Sequence, residues 1–176
     1  NVLNAESRSF KLGTERIGRR LNQPMRIALA AGVLPVVKHL PGHGRATADS
    51  HLDLPTVDTD RATLEATDFA AFRPLSRLPL GMTAHVVFSA IDAVQPATTS
   101  AIMIRDVIRG SIGLEELLMS DDVSKGALSG TLSERSRAAV AAGCDLVLHC
   151  NGNLDEMRLV AEASPLLAGE AASRAD

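Results

Sequence analysis

The chain has 176 residues, 45% of them hydrophobic, enough to bury one ordinary core and too apolar for a disordered chain. A net charge of −3 with no Trp or Tyr argues against a nucleic-acid partner, which would need excess cations and stacking platforms. Two cysteines, Cys144 and Cys150, make no disulfide framework; with no signal peptide and no apolar run of roughly 18 residues, a cytoplasmic protein without a membrane partner is expected.

The chain opens on Asn1 in polar sequence, "NVLNAESRSF", which reads as a loop already under way and suggests a fragment. Thr14 to Gly32 places Ile17, Leu21, Met25 and Leu29 four apart, the spacing of one helical face, with Pro24 expected to kink it. "VLPVVKH", Val33 to His39, reads as a buried strand running into the polar loop "KHLPGHGRATADSH". A helix is predicted from Asp60 to Leu75, followed by the apolar run "LPLGMTAHVVF" from Leu78 to Phe88. Thr98 to Gly113 carries Ser/Thr start signals, an apolar stripe and a terminal glycine; it leads into the strand "LEELLMSDD", Leu114 to Asp122. Ser133 to Gly143 reads as a second capped helix ending in glycine, before the strand "CDLVLHCNG". A last helix is predicted over Asn153 to Ala163, with a polar, Ala-rich tail beyond it.

Strands alternating with helices over short connections predict parallel strands joined by right-handed crossovers, hence an α/β fold. Four such strands are visible, and each ends in polar residues: Lys38 and His39, His85, Asp121 and Asp122, His149 and Asn151. That one-sidedness suits a (β/α)8 TIM-type barrel, whose site is assembled at the C-terminal ends of its strands. A doubly wound open sheet is the competitor, weakened because no glycine-rich phosphate loop follows any strand. Since a whole barrel takes roughly 250 residues, the expectation is the C-terminal portion of one, about four strand–helix units without the N-terminal strands, in a single incomplete domain over residues 1–176.

Each polar cluster has a functional and a structural reading. His39 and His43 are four apart, but Pro41 and Gly42 between them break the helix on which that spacing would bind a metal. A loop metal site from His39, His43, Asp49 and His51 is the remaining metal alternative. Asp49 precedes His51 by two residues, so its carboxylate can accept the Nδ1–H and support an imidazolium; a solvated turn is the plainer reading. Lys38 needs an anion or hydroxyls if buried at a strand end. Of Asp121 and Asp122, adjacent on a strand and therefore on opposite sides, one faces the barrel mouth and Asp122 can cap a turn through Ser124. His85 and His149 read as single strand-end histidines with structural roles, and both cysteines as small packing residues.

Taken in order, "KHLPGHGRATADSH", "TAHVVFSAID", "PATTS", "LLMSDDVS…ALSG" and "AAGCDLVLHCNG" resemble the family-3 glycoside hydrolases of bacteria, in particular the single-domain β-N-acetylhexosaminidases of cell-wall recycling. The resemblance implies a retaining mechanism with Asp121 as nucleophile and His51 as general acid and then base, oriented by Asp49. It implies that Arg8, Lys38 and His39 hold sugar hydroxyls, with no cofactor and no metal. It further implies N-acetylglucosaminyl-anhydro-N-acetylmuramyl peptides as substrate, and the missing N-terminal half of the barrel as the structural partner. The chain departs from the resembled pattern at Lys125, where a methionine follows Ser-Asp-Asp-x-Ser, at Glu116 in place of a glycine, and at Lys11 in place of a small residue. The isolated 176 residues are expected to hydrolyse poorly or not at all, because an open barrel leaves strand edges unpaired and the pocket short of a wall; the alternative reading is a non-catalytic sugar-binding or assembly half that needs a partner chain.

Overall fold

A computed structural model describes residues 23–46 and 54–176; Arg8, Lys11, Asp49 and His51 lie outside the described residues. Six strands are present among them: β1 (Val36–Leu40), β2 (Thr56–Val57), β3 (Leu80–Thr83), β4 (Val87–Phe88), β5 (Leu117–Asp122) and β6 (Leu146–Leu148). β1, β3, β5 and β6 form one parallel sheet in that order, while β2 and β4 pair in parallel as a separate two-stranded ribbon. In the larger sheet each strand lies beside its successor and the order never reverses. A doubly wound sheet would reverse at a switch point, so the winding is that of a portion of a TIM-type barrel.

Why these segments form strands follows from their burial on both faces. β5 carries Leu117, Leu118 and Met119, and β3 is fully buried from Gly81 to Thr83. Gly81 pairs in register with Val37 on one side and Leu118 on the other. A Cβ there would sit 2.7 Å from Leu114 Cδ2 and 2.8 Å from Leu40 Cδ1, so glycine lets the flanking layers close on the strand.

Helices cover the sheet. The helical stretch 23–30, α1, packs Met25 and Leu29 of the predicted face against the core. The predicted strand from Val33 begins later: Val33 and Leu34 are exposed and pairing starts at Val36. The predicted helix from Asp60 to Leu75 is broken. Asp60 caps α2 (Arg61–Ala66) by accepting from Thr63 N–H at 2.9 Å, but the helix stops there and two short 3-10 turns follow, Phe69–Ala71 and Arg73–Leu75. Thr67 and Asp68 take Arg45 as a partner, at 3.2 and 2.8 Å, and Pro74 starts the last turn, where its missing N–H costs nothing.

The helix over Met103–Ile112 is wound as a π-type helix and closes on Gly113, whose φ of 81° permits the left-handed cap. Its buried face, including Met103, Val107 and Ile108, fills the space against the sheet. α3 (Leu132–Ala142) starts with a capping box in which Thr131 and Glu134 exchange hydrogen bonds, and ends on Gly143 at φ 114°. α4 (Leu154–Ala163) is capped by Asn153, and the tail, read as polar from the sequence, forms α5 (Gly169–Ala175). Arg174 of α5 and Arg109 both bind the nearly buried Asp145, which also accepts from Leu118 N–H at 2.8 Å and so ties two helices to the start of β5. No helix among the described residues is long and apolar enough to cross a membrane.

Candidate active site

The C-terminal ends of the four strands gather the polar residues. Lys38 and His39 end β1, Thr83 ends β3, Asp121 and Asp122 end β5, and His149 follows β6. His39 Nε2 comes to 3.9 Å from Asp121 Oδ2 although 82 positions separate them. The structure therefore joins two of the predicted site residues directly, and sets Lys38 on the same strand end as His39.

Asp121 is a buried carboxylate, 4% exposed, with both oxygens occupied. Oδ1 accepts the Asp122 N–H at 2.8 Å and Oδ2 accepts Lys125 Nζ at 2.7 Å. Burial pushes its carboxyl up, but the Lys125 hydrogen bond, the Asp122 N–H and the Lys125 charge act against burial, and the carboxyl lies below its usual 3.8. Burial in turn pushes the His85 imidazole below 6.5, so at neutral pH that ring is uncharged and Lys125 supplies the cation that keeps Asp121 ionised.

A chain of hydrogen bonds links the Asp121 N–H to the Asp122 carbonyl and fixes the backbone on both sides of the peptide between them. Asp121 N–H donates to Thr83 Oγ1 at 3.2 Å; Thr83 and Thr98 hydroxyls meet at 2.8 Å; Thr98 Oγ1 lies 2.8 Å from His85 Nδ1; His85 Nε2 lies 3.0 Å from the Asp122 carbonyl. A carbonyl can only accept, so Nε2 carries the proton, Thr83 donates to Thr98, and the one Thr98 hydroxyl proton is shared between His85 Nδ1 and the Ala84 carbonyl, a tautomer assigned from the network. Thr83, His85 and Thr98 are all completely buried. Their segments stand in the sequence as "TAH" and "PATTS", yet nothing in their spacing shows that Thr98, on the helix-bearing crossover, returns to the end of β3.

Asp122 does what its turn reading predicts: Oδ1 accepts from Ser124 N–H at 3.0 Å and Oδ2 from Ser124 Oγ–H at 2.9 Å. Its Oδ1 also accepts from Cys150 N–H at 3.2 Å, which ties the loop after β6 to β5. His149 Nε2 lies 2.8 Å from Glu156 Oε2 on α4, and Cys144 is buried with its thiol pushed up to about 12 by burial. Cys150 departs from its packing assignment, because it is exposed. Among the described residues no group of three or more His, Cys, Asp or Glu converges as a metal site; Asp49 and His51 of the loop alternative lie outside them.

The described residues on both sides of positions 47–53 are tied to the rest of the fold. Ala46, before residues 47–53, packs against the core, and Arg45 is anchored on Asp68. After them, Thr56 and Val57 pair with Val87 and Phe88, which follow β3 directly. Phe88 meets Phe69 edge-on at 5.7 Å and holds that ribbon to the core.

Parallel strands wound in sequence, with a buried carboxylate and an imidazole at their C-terminal rim, are the site-bearing face of a TIM-type barrel. The comparison with known families is specific. Residues 5–171 match the glycosyl hydrolase family 3 N-terminal domain, and the chain belongs to that family. A β-hexosaminidase of Alkalilimnicola ehrlichii is 49% identical over 125 residues, covering 69% of this chain and 36% of that protein. One of Nitrosospira multiformis is 36% identical over 159 residues, covering 88% and 45%. Among solved structures, NagZ from Neisseria gonorrhoeae in complex with N-trifluoroacetyl-D-glucosamine superposes with a TM-score of 0.81 at 34% identity, covering 95% of this chain and 48% of that one. The chain thus spans less than half the length of these relatives.

Proposed function

We propose that these residues form part of a single barrel domain of a retaining exo-β-N-acetylglucosaminidase that removes terminal N-acetylglucosamine. The observation that carries this reading is Asp121: a buried carboxylate with a hydrogen-bond donor on each oxygen, at the strand-end rim of a family-3 barrel sheet. In the first step an Asp121 oxygen attacks the anomeric carbon. The bond to the leaving oxygen breaks with its electron pair, and that oxygen takes a proton from the His51 imidazolium. In the second step neutral His51 takes a proton from water as the water oxygen attacks the same carbon, and the bond to Asp121 breaks with its pair returning to the carboxylate. An imidazole with an ordinary pKa near 6.5 performs both transfers at neutral pH.

Asp49 orients His51 and supports its charged form, while Arg8, Lys38 and His39 hold sugar hydroxyls. The substrates are N-acetylglucosaminyl-anhydro-N-acetylmuramyl peptides released in peptidoglycan recycling, handled in the cytoplasm. Hydrolysis of para-nitrophenyl N-acetyl-β-D-glucosaminide by the full-length protein tests the reading. Asp121→Asn is expected to lower kcat by at least about a thousandfold and His51→Ala by about a hundredfold or more. Full turnover in Asp121→Asn contradicts the proposed nucleophile.

A further inference from the structure

Resting on the glycosidase reading, we infer that Lys125 is a positioning residue that sets the balance between the two chemical steps: its ammonium, bonded to Asp121, slows formation of the glycosyl-enzyme and speeds its breakdown. The geometry is a built clamp. Lys125 Nζ reaches Asp121 Oδ2 at 2.7 Å, with the two side chains 12% and 6% exposed. The lysine backbone is anchored as well. Its N–H donates to the Asp122 carbonyl at 3.2 Å, and its carbonyl accepts Arg135 Nη1 at 3.1 Å. The same Arg135 nitrogen takes the Val123 carbonyl at 3.0 Å, so α3 holds the turn after β5 on both sides of Ser124.

A carboxylate that already donates electron density to a bonded ammonium is a weaker nucleophile and, for the same reason, a better leaving group. With Oδ1 on the Asp122 N–H and Oδ2 on Lys125, attack on the sugar must weaken one of these contacts, and the Lys125 contact is the charged one. Once the ester has formed, that carboxylate charge is gone. As the second step breaks the ester, the negative charge reappears beside an ammonium already in position, which is stabilisation that needs no rearrangement.

Other groups face Asp121. His85, beyond β3, is held neutral; His39 of β1 lies 3.9 Å away; Asp122 adjoins it on its own strand; and Cys150, after β6, is exposed with its thiol raised by burial and by the two aspartates. Lys125 is the cation in hydrogen-bond contact with the carboxylate among the described residues.

The test compares wild type, Lys125→Met, Lys125→Gln and Lys125→Arg in the full-length protein, with para-nitrophenyl N-acetyl-β-D-glucosaminide, whose good leaving group favours the first step. Rapid-quench mass spectrometry measures the fraction of enzyme carrying N-acetylglucosamine on Asp121, and pre-steady-state release of nitrophenol measures the first step directly. In Met and Gln the first step is expected to rise and the second to fall by roughly threefold to tenfold each, the share of one charge-assisted hydrogen bond. The covalent species then accumulates, the acid limb of kcat/KM moves to higher pH, and Lys125→Arg restores wild-type behaviour. Equal adduct occupancy in all four proteins, or a loss in both steps that arginine does not rescue, overturns the inference while leaving the glycosidase reading intact. No adduct on Asp121 in any protein, with turnover surviving Asp121→Asn, overturns both.

Discussion

Thr98→Val removes one hydroxyl from the centre of the hydrogen-bond chain that positions Asp121 and replaces it with a methyl of similar volume. The Thr98 oxygen meets the Thr83 hydroxyl at 2.8 Å, His85 Nδ1 at 2.8 Å and the Ala84 carbonyl at 3.1 Å. Valine serves none of them, and Thr83 and His85 are fully buried with no water-exposed alternative. Each buried group left unsatisfied costs about 1–3 kcal/mol. Two lose their main partner, so a destabilisation of about 2–4 kcal/mol is expected after allowing that Thr83 still accepts from Asp121 N–H. Urea unfolding monitored by circular dichroism measures this as a shift in midpoint at unchanged slope. Thr98→Ser, which keeps the hydroxyl, is expected to lose about 1 kcal/mol or less, the value of one buried methyl. Turnover follows the same order, since a His85 ring free to rotate no longer holds the Asp122 carbonyl and Asp121 drifts from its bonded position. A Thr98→Val midpoint within about 0.5 kcal/mol of wild type, or Ser as damaging as Val, refutes the hydrogen-bond chain.

Gly81→Ala puts a Cβ 2.7 Å from Leu114 Cδ2 and 2.8 Å from Leu40 Cδ1, both nearly fully buried, and a loss of about 1–3 kcal/mol in unfolding free energy is expected. Stability also depends on pH through His85. Its folded pKa lies below 6.5 because burial disfavours the charged ring, so the unfolded chain binds the extra proton first as pH falls. This contribution is complete above about 6.5 and declines below it; His85→Gln is expected to flatten the slope between wild-type stabilities measured at neutral and at mildly acidic pH. Asp121 acts lower. Its depressed pKa stabilises the fold above the usual carboxylate value and is lost as pH falls through the folded one, so Lys125→Met is expected to raise the onset of acid unfolding.

The barrel was legible because its cause is local and repeated. Four apolar runs each end in polar residues, and Gly113 and Gly143 stop the two helices that separate the later strands, both with positive φ. The break after Ala66 was not legible, because an Arg45 side chain contributed from the preceding loop claims Thr67 and Asp68, and no periodicity encodes a contact across 23 residues. Nor was the β2–β4 ribbon: two-residue strands carry no alternation to read. For the site, Asp121 and His39 converge because parallel neighbours bring their ends together, a consequence of strand polarity alone. Lys125 stood out in the sequence as an unexpected cation, but its partner did not, since reaching back four residues to Asp121 depends on the Ser124 turn rather than on a helix. Thr98 was hidden for the reason that governs most buried polar networks, namely that its partners belong to segments whose mutual placement only the folded sheet determines.

The most direct test of the account is to identify the atom that becomes attached to the sugar. A ring-fluorinated N-acetylglucosaminyl fluoride loses its activated leaving group quickly and is released slowly, so it traps any covalent intermediate for peptide mapping by mass spectrometry. One N-acetylhexosaminyl label on the peptide containing Asp121, absent in Asp121→Asn, is the predicted result. A label on a different carboxylate, or inverted product with no label at all, contradicts it.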